Sequence, residues 1–259
     1  MDNKEPQITG LMPAAGSATR LSNLPCSKEI LPVGFSEKPG GQSLRVAAAY
    51  LLDSFDEAEV DQAYIITRKG KWDIPQYFGT GPHWNCPLAY IFTEPTAGTH
   101  HTLDLAYHFV KDGIVLLGFP DILFKPKNAF IRLLEKQQQS GADVVLGLFE
   151  ANNPNSADMV DLNRDRRLRK IVIKPNKTNL KYTWVIAVWN SVFSNFLHEF
   201  VDGKAEKYAE KLGREVYIGD VIQHALEYGL AIETVLFPNG KYTDIGTISD
   251  FKKVWKHGF

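Results

Sequence analysis

The 259 residues carry 29 basic and 30 acidic side chains, so a net charge of −1 leaves no general pull toward nucleic acid or an anionic membrane. Apolar residues at 44% and charged ones at 23% are the proportions of a globular chain, long enough for one large α/β domain. Cys26 and Cys86, in no C-x-x-C pattern, argue against a disulfide framework or a structural zinc site. The polar start Met1–Gln7 and the lack of an apolar run near ~20 residues predict neither a signal peptide nor a bilayer span, and the expected address is cytoplasmic.

In chain order, Ile8–Met12 reads as a first strand, and the stretch "LMPAAGSATRLSNLPCSKEILPV" (Leu11–Val33) carries it into small residues and then into Arg20 and Lys28. "SLRVAAAYLLDSF", Ser43–Phe55, has helical spacing with Ser43 as its cap. Ala63–Thr67 and Leu88–Phe92 read as strands, Thr99–Val110 as a helix, Ile114–Gly118 as a buried strand, Asn128–Ser140 as a helix and Ala142–Phe149 as a strand. Past Glu150 the pattern loosens. Ala151–Asp158 reads as a loop, Arg167–Ile173 as a charged edge strand, Tyr182–Asn190 as a strand, Gly219–Leu230 as a helix and Ala231–Phe237 as a strand. Near-continuous Val, Ile and Leu strands separated by helices predict an α/β fold, a Rossmann-like mixed, mainly parallel sheet with helices on both faces. One domain is expected over 1–259, with a core over about 1–150 and a substrate-side portion over about 151–259.

In open α/β sheets ligands collect at the carboxyl ends of strands. The small residues Ala14, Ala15, Gly16, Ser17 and Ala18, with Thr19 after them, would let backbone N–H groups approach a polyphosphate, and Arg20 and Lys28 would supply charge. An ordinary tight turn with two surface cations fits the same residues. Neither G-x-G-x-x-G nor G-K-[ST] occurs in the stretch, which disfavours a dinucleotide fingerprint and a Walker loop.

At this point the chain resembles the sugar-phosphate nucleotidylyltransferases, typified by glucose-1-phosphate thymidylyltransferase. Gly16–Leu21 is similar to their Gly-x-Gly-Thr-Arg loop, with Ala18 in place of the second glycine, and Lys28 stands before Ile30-Leu31-Pro32-Val33. "LLGFPDILF" resembles the strand ending in a metal-binding aspartate, here Asp121. Ile173-Lys174-Pro175 resembles a Glu-Lys-Pro segment, and "YIGDVIQHALEYG" an Ile-Thr-Asp helix start. Tyr242–Thr247 resembles a Leu-Asp-Thr-Gly-Thr segment, its aspartate being Asp244. These five segments stand in the family's order.

The resemblance implies a nucleotide-diphospho-sugar transferase fold and attack by a sugar-1-phosphate on the α-phosphorus of a nucleoside triphosphate, dTTP or UTP. It makes residues 1–150 the nucleotide-binding core and 151–259 the sugar-phosphate portion. Asp121 and Asp244 would hold Mg²⁺, Arg20 the β- and γ-phosphates, Lys28 the α-phosphate and Lys174 the sugar phosphate, while Gly98 would lie against the base. Ile173 removes a carboxylate expected before Lys174, and Asp158 stands where glycine is frequent. Asp158 and Tyr182 are therefore candidate acceptor contacts, although Asp158 in a polar loop also suits solvent. His101, Asp104 and His108 share a helical face, but Leu103, Leu105 and Phe109 favour an ordinary amphipathic helix over a metal site. A cytidylyltransferase of a non-sugar phosphate and an inactive nucleotide-sugar-binding module compete with the enzyme reading. No nucleic-acid or membrane partner is expected, and self-association is left open.

Overall fold

The structure, a computed structural model, describes residues 6–16, 21, 24–38 and 41–259. β1 (Ile8–Pro13) is followed by a hairpin of β2 (Pro32–Lys38) and β3 (Gly41–Val46), then by α1 (Ala47–Glu57), β4 (Gln62–Arg68), the short α2 (Asp73–Phe78) and β5 (Leu88–Thr93). Two helical turns, α3 (Thr99–Asp104) and α4 (Tyr107–Val110), precede β6 (Ile114–Leu117) and β7 (Ile122–Lys125). α5 (Ala129–Ser140) and β8 (Val144–Glu150) come next, then the hairpin of β9 (Asp158–Leu162) and β10 (Leu168–Ile173), and β11 (Tyr182–Trp189). α6 (Ser191–Gly203), α7 (Ala205–Leu212), α8 (Ile218–Tyr228), β12 (Ile232–Leu236), β13 (Lys241–Asp244) and α9 (Ile248–His257) follow, and a single 3₁₀ turn, Lys28–Ile30, lies between β1 and β2.

The main sheet has nine strands in the order β10-β9-β11-β6-β1-β4-β5, with β8 pairing β11 and β12 pairing β8. β6, β1, β4 and β5 run parallel, as do β8 and β12, while β11 runs antiparallel to β6, β8 and β9. The expected mixed, mainly parallel α/β sheet is thus present. Its central strands, such as β6 and β8, are near-continuously apolar because helices cover both faces. One face packs Leu51, Leu52 and Phe55 of α1 against Phe130 and Leu133 of α5. The other buries Phe193 and Leu197 of α6 with Val221 and Ile222 of α8. Each such side chain contributes about 1.5–3 kcal/mol of hydrophobic stabilisation.

Three expected elements take a different form. Ser43 does not cap a helix; residues 43–46 pair with β2, Phe35 opposite Leu44 and Ser36 opposite Ser43, the two serine hydroxyls 2.8 Å apart. The helix begins only at Ala47, after Val46. The expected helix Thr99–Val110 breaks in two, where i→i+3 bonds from Ala106 to Leu103 and from Phe109 to Ala106 tighten the backbone. Asp158 does not end a solvated loop; it opens β9 opposite Ile173.

The register of β11 shapes the cleft. Ala187 sits beside Leu117, the last residue of β6, so Tyr182–Trp184 project past the carboxyl end of that strand. β9 pairs with this projection, Tyr182 opposite Val160 and Thr183 opposite Met159. The β9–β10 hairpin therefore stands beyond the carboxyl end of β6, level with the chain that carries Asp121.

Candidate functional site

Two aspartates that both act on Lys28 sit on a small ribbon. β13 runs antiparallel to β7 with Asp244 opposite Ile122, and the Ile245 N–H donates to the Asp121 carbonyl at 2.9 Å. Residues far apart in sequence are thereby held one ladder step apart. Asp244 Oδ1 also accepts the Gly246 N–H at 2.7 Å, which fixes the turn behind it. Lys28 completes the group, its Nζ 2.5 Å from Asp121 Oδ2. Burial alone would pull this ammonium down. Asp121 outweighs it, with Glu29 and Asp244 adding, and holds the Lys28 pKa above its ordinary value. The group is a cation between two anions, at the exit of β6.

Carboxylate oxygens are hard donors of the kind that suits Mg²⁺, which takes one or two carboxylates and leaves its other positions to phosphate and water. Among the described residues no group of three His, Cys, Asp or Glu side chains could hold a metal by itself. The donor set therefore fits an ion brought or completed by a polyphosphate.

Beside this group, β1 ends in Ala14, Ala15 and Gly16. The Ala14 N–H still pairs with Ile66 of β4, at 2.7 Å. Ser17, Ala18, Thr19 and Arg20 lie outside the described residues. Two cations that spacing does not reveal hold the turn: Lys71 Nζ donates to the Ala14 carbonyl at 2.7 Å, and Arg68 Nε to the Ala15 carbonyl at 2.9 Å. Lys71 is also paired at 2.8 Å with Glu29, which is fully buried and has Oε2 without a partner. The sequence signal for these residues is faint, a run of Arg68-Lys69-Gly70-Lys71 just past a core strand.

A second group forms on the β9–β10 hairpin and the start of α8. Lys174 follows β10 at φ +39°, a left-handed conformation that costs a non-glycine residue about 1 kcal/mol. Its Nζ lies 3.4 Å above the Tyr217 ring. Asp220, nearly buried in the first turn of α8, accepts both Arg214 nitrogens at 2.8 Å and the Tyr217 N–H at 2.9 Å. Asp158 packs against Gly219, where a Cβ would stand 2.4 Å from its Oδ2. Asp158 Oδ1 is buried without a partner. The rings of Phe119 and Trp184 meet at 6.0 Å and join this group to the segment carrying Asp121. Tyr182 opens β11 on the same side, while Ile173 supplies only an apolar contact to Gly219.

Burial pushes the Asp158 carboxyl up to about 6; Lys174 opposes the shift, Asp220 adds to it and Arg214 opposes it. The unfolded chain gives up this proton near pH 4, whereas the folded protein keeps it to about 6. Stability is therefore lost as pH rises through that window, and the loss is complete above it. Asp158→Asn is expected to gain about 1–3 kcal/mol at pH 7.5 in urea unfolding, the gain shrinking toward zero as pH falls to about 4. A gain of the same size at both pH values would show that Asp158 does not titrate in this window.

Gly98 caps α3 at φ +153°, and a Cβ there would stand 2.9 Å from His100 and 3.1 Å from Glu215. The protein itself thus requires glycine at this position. Burial, with His101 adding, pushes His100 down to about 4, so it stays neutral. Asp104 joins neither His101 nor His108 in a metal cluster; its carboxylate meets His198 Nδ1 at 2.9 Å, and that ring stacks on Tyr107. No helix among the described residues is long and apolar enough to cross a membrane.

Comparison with known proteins gives a consistent picture. The family model for nucleotidyl transferases matches residues 10–257. The chain is 24% identical over 236 residues to the bifunctional protein GlmU of Methanococcus maripaludis, covering 90% of this chain and 50% of that protein. It is 24% identical over 248 residues to the low-salt glycan biosynthesis nucleotidyltransferase Agl11 of Haloferax volcanii, covering 94% and 64%. The chain thus spans about half to two-thirds of the length of these relatives. A crystal structure from Bacillus anthracis, assigned as a glucose-1-phosphate thymidylyltransferase and solved with sucrose, superposes with a TM-score of 0.82. That likeness covers 97% of this chain and 95% of the other at 18% identity, and it concerns the fold.

Proposed function

Because the chain belongs to the nucleotidyl transferase family, we propose that it joins a nucleoside triphosphate, dTTP or UTP, to a sugar-1-phosphate and releases pyrophosphate. The observation that carries this reading is the ribbon of β7 and β13, which sets Asp121 and Asp244 together with Lys28 at the strand ends. An acceptor phosphate oxygen bonds to the α-phosphorus, and the bond to the β-phosphate oxygen breaks, its electron pair leaving with pyrophosphate. The acceptor phosphate is already ionised at neutral pH, so the protein needs no general base. Its work is to neutralise and align two anions.

In this reading residues 1–150 hold the nucleotide, through the turn Ala14–Gly16 and its continuation Ser17–Arg20, with Gly98 at the base. Residues 151–259 hold the acceptor. Lys28 neutralises the α-phosphate, and Lys174 positions the acceptor phosphate from its perch on Tyr217. Asp121 and Asp244 would hold Mg²⁺, which would supply charge neutralisation along the polyphosphate. Asp158, lacking a partner for Oδ1, takes a donor from the non-phosphate part of the acceptor, on the side where Ile173 offers none. The name of the Haloferax relative, a nucleotidyltransferase of glycan biosynthesis, supports the transferase reading.

The test is pyrophosphate release over a matrix of nucleoside triphosphates and sugar-1-phosphates with Mg²⁺. Release from at least one pair is expected, and silence across the matrix would end the reading. With the active pair in hand, Lys174→Ala should raise the acceptor KM about 10- to 100-fold and leave the triphosphate KM near wild type. The opposite split would assign Lys174 to the nucleotide.

A further inference from the structure

The carbonyls of Ala14 and Ala15 are both drawn toward residues at the end of β4 and just after it, by Lys71 and Arg68. In a regular strand successive carbonyls alternate in direction, so this pair marks a deliberate break from strand geometry. A trans peptide is planar, and its N–H points opposite to its C=O. The N–H groups of Ala15 and Gly16, which share peptides with those two carbonyls, therefore both turn away from β4. They face the other side of β1, where β6 runs and leads into the segment carrying Asp121, to which Lys28 is paired. Successive N–H groups aimed the same way form a concavity for anions.

We propose that Arg68 and Lys71 are positioning residues for the triphosphate: they hold two carbonyls back so that the Ala15 and Gly16 amides are presented to the phosphates. The proposal rests on the nucleotidyl transferase reading. It assigns these cations a role opposite to the one their charge suggests, since each spends a donor on a backbone carbonyl of the turn. Glu29 steers Lys71 from below at 2.8 Å. Two further bonds, from the Ser27 N–H and hydroxyl to Asp73 at 2.6 and 2.7 Å, tie the other side of Lys28 to the start of α2. The short stretch 68–73 thus sets both the turn and the lysine that shares its anion.

The test uses the chemistry of Arg68. It donates through Nε, the nitrogen bonded to Cδ, and glutamine also carries its amide nitrogen on Cδ. Arg68→Gln can therefore keep the bond to Ala15 without the charge, whereas Arg68→Met cannot. For inorganic tripolyphosphate and for dTTP or UTP, Arg68→Met is expected to raise Kd roughly tenfold, and Arg68→Gln to stay within about threefold of wild type, with the acceptor KM unchanged in both. Equal losses in the two variants, with a shallower salt dependence, would mean that the guanidinium meets phosphate directly and would overturn the proposal. An unchanged Kd in Arg68→Met would overturn it too. A wild type that binds tripolyphosphate, with this pattern in the variants, yet releases no pyrophosphate from any substrate pair leaves the positioning role standing and removes the transferase reading.

Discussion

Asp244→Asn is expected to lower turnover about a thousandfold while leaving the protein folded. Asparagine keeps an oxygen to accept the Gly246 N–H, now bonded at 2.7 Å, so the turn between β13 and α9 survives. What it loses is the charge. Asp244 stands across the ribbon from Ile122, the neighbour of Asp121, and one of the anions that act on Lys28 disappears. The Mg²⁺ concentration giving half-maximal rate should rise as well, because a two-carboxylate site becomes a one-carboxylate site. Rates of pyrophosphate release over a Mg²⁺ titration, with circular dichroism to establish folding, decide the matter. Near-normal turnover in a folded Asp244→Asn would confine this residue to its turn and take the metal assignment away from it.

The second large effect is on stability. Lys71→Met should cost about 3–5 kcal/mol, because it strands the fully buried Glu29 carboxylate, one of whose oxygens already lacks a partner. Burial pushes the Glu29 carboxyl up, with Lys71 its chief restraint, and burial likewise pulls the Lys71 ammonium down against Glu29. Removing both charges should therefore be far milder than removing one: Glu29→Leu combined with Lys71→Met is expected to recover most of the lost stability in urea unfolding. It should not recover triphosphate affinity, since the Ala14 carbonyl remains without its donor. A double variant as unstable as the single would mean that packing around the lysine stem, rather than the stranded charge, sets the cost.

The core strands were legible because burial on both faces leaves a near-continuous run of Val, Ile and Leu, as in Ile114–Leu117 and Val144–Leu148. The β2–β3 hairpin was not. Residues 43–46 continue the helical spacing of α1 backward, and only pairing with a strand earlier in the chain draws them into extended form. In the site, Lys28, Asp121 and Asp244 stand at spacings that a resemblance can carry, and the structure brings those three together. Arg68 and Lys71 could not be found this way. They act on backbone carbonyls more than fifty residues away, and a carbonyl leaves no mark in a sequence. From sequence Asp158 reads either as an acceptor contact or as a solvated loop residue; its burial depends on Gly219 of α8, a small residue some sixty positions later that closes over the carboxylate.

Asp121 leaves the ribosome about 120 residues before Asp244, which at ordinary translation speed is a gap of roughly 6–25 seconds. Through that interval the growing polypeptide already holds β1, β4, β5 and β6, and the lysine that meets Asp121, yet β7 has no partner strand. A nascent chain stalled there can collapse around its parallel strands but, in the proposed reading, stays inert, since the second carboxylate has not been made. Pairing of β13 with β7 thus follows the synthesis of the parallel strands, and in the proposed reading the onset of activity should lag behind the onset of compactness in a cell-free translation reaction.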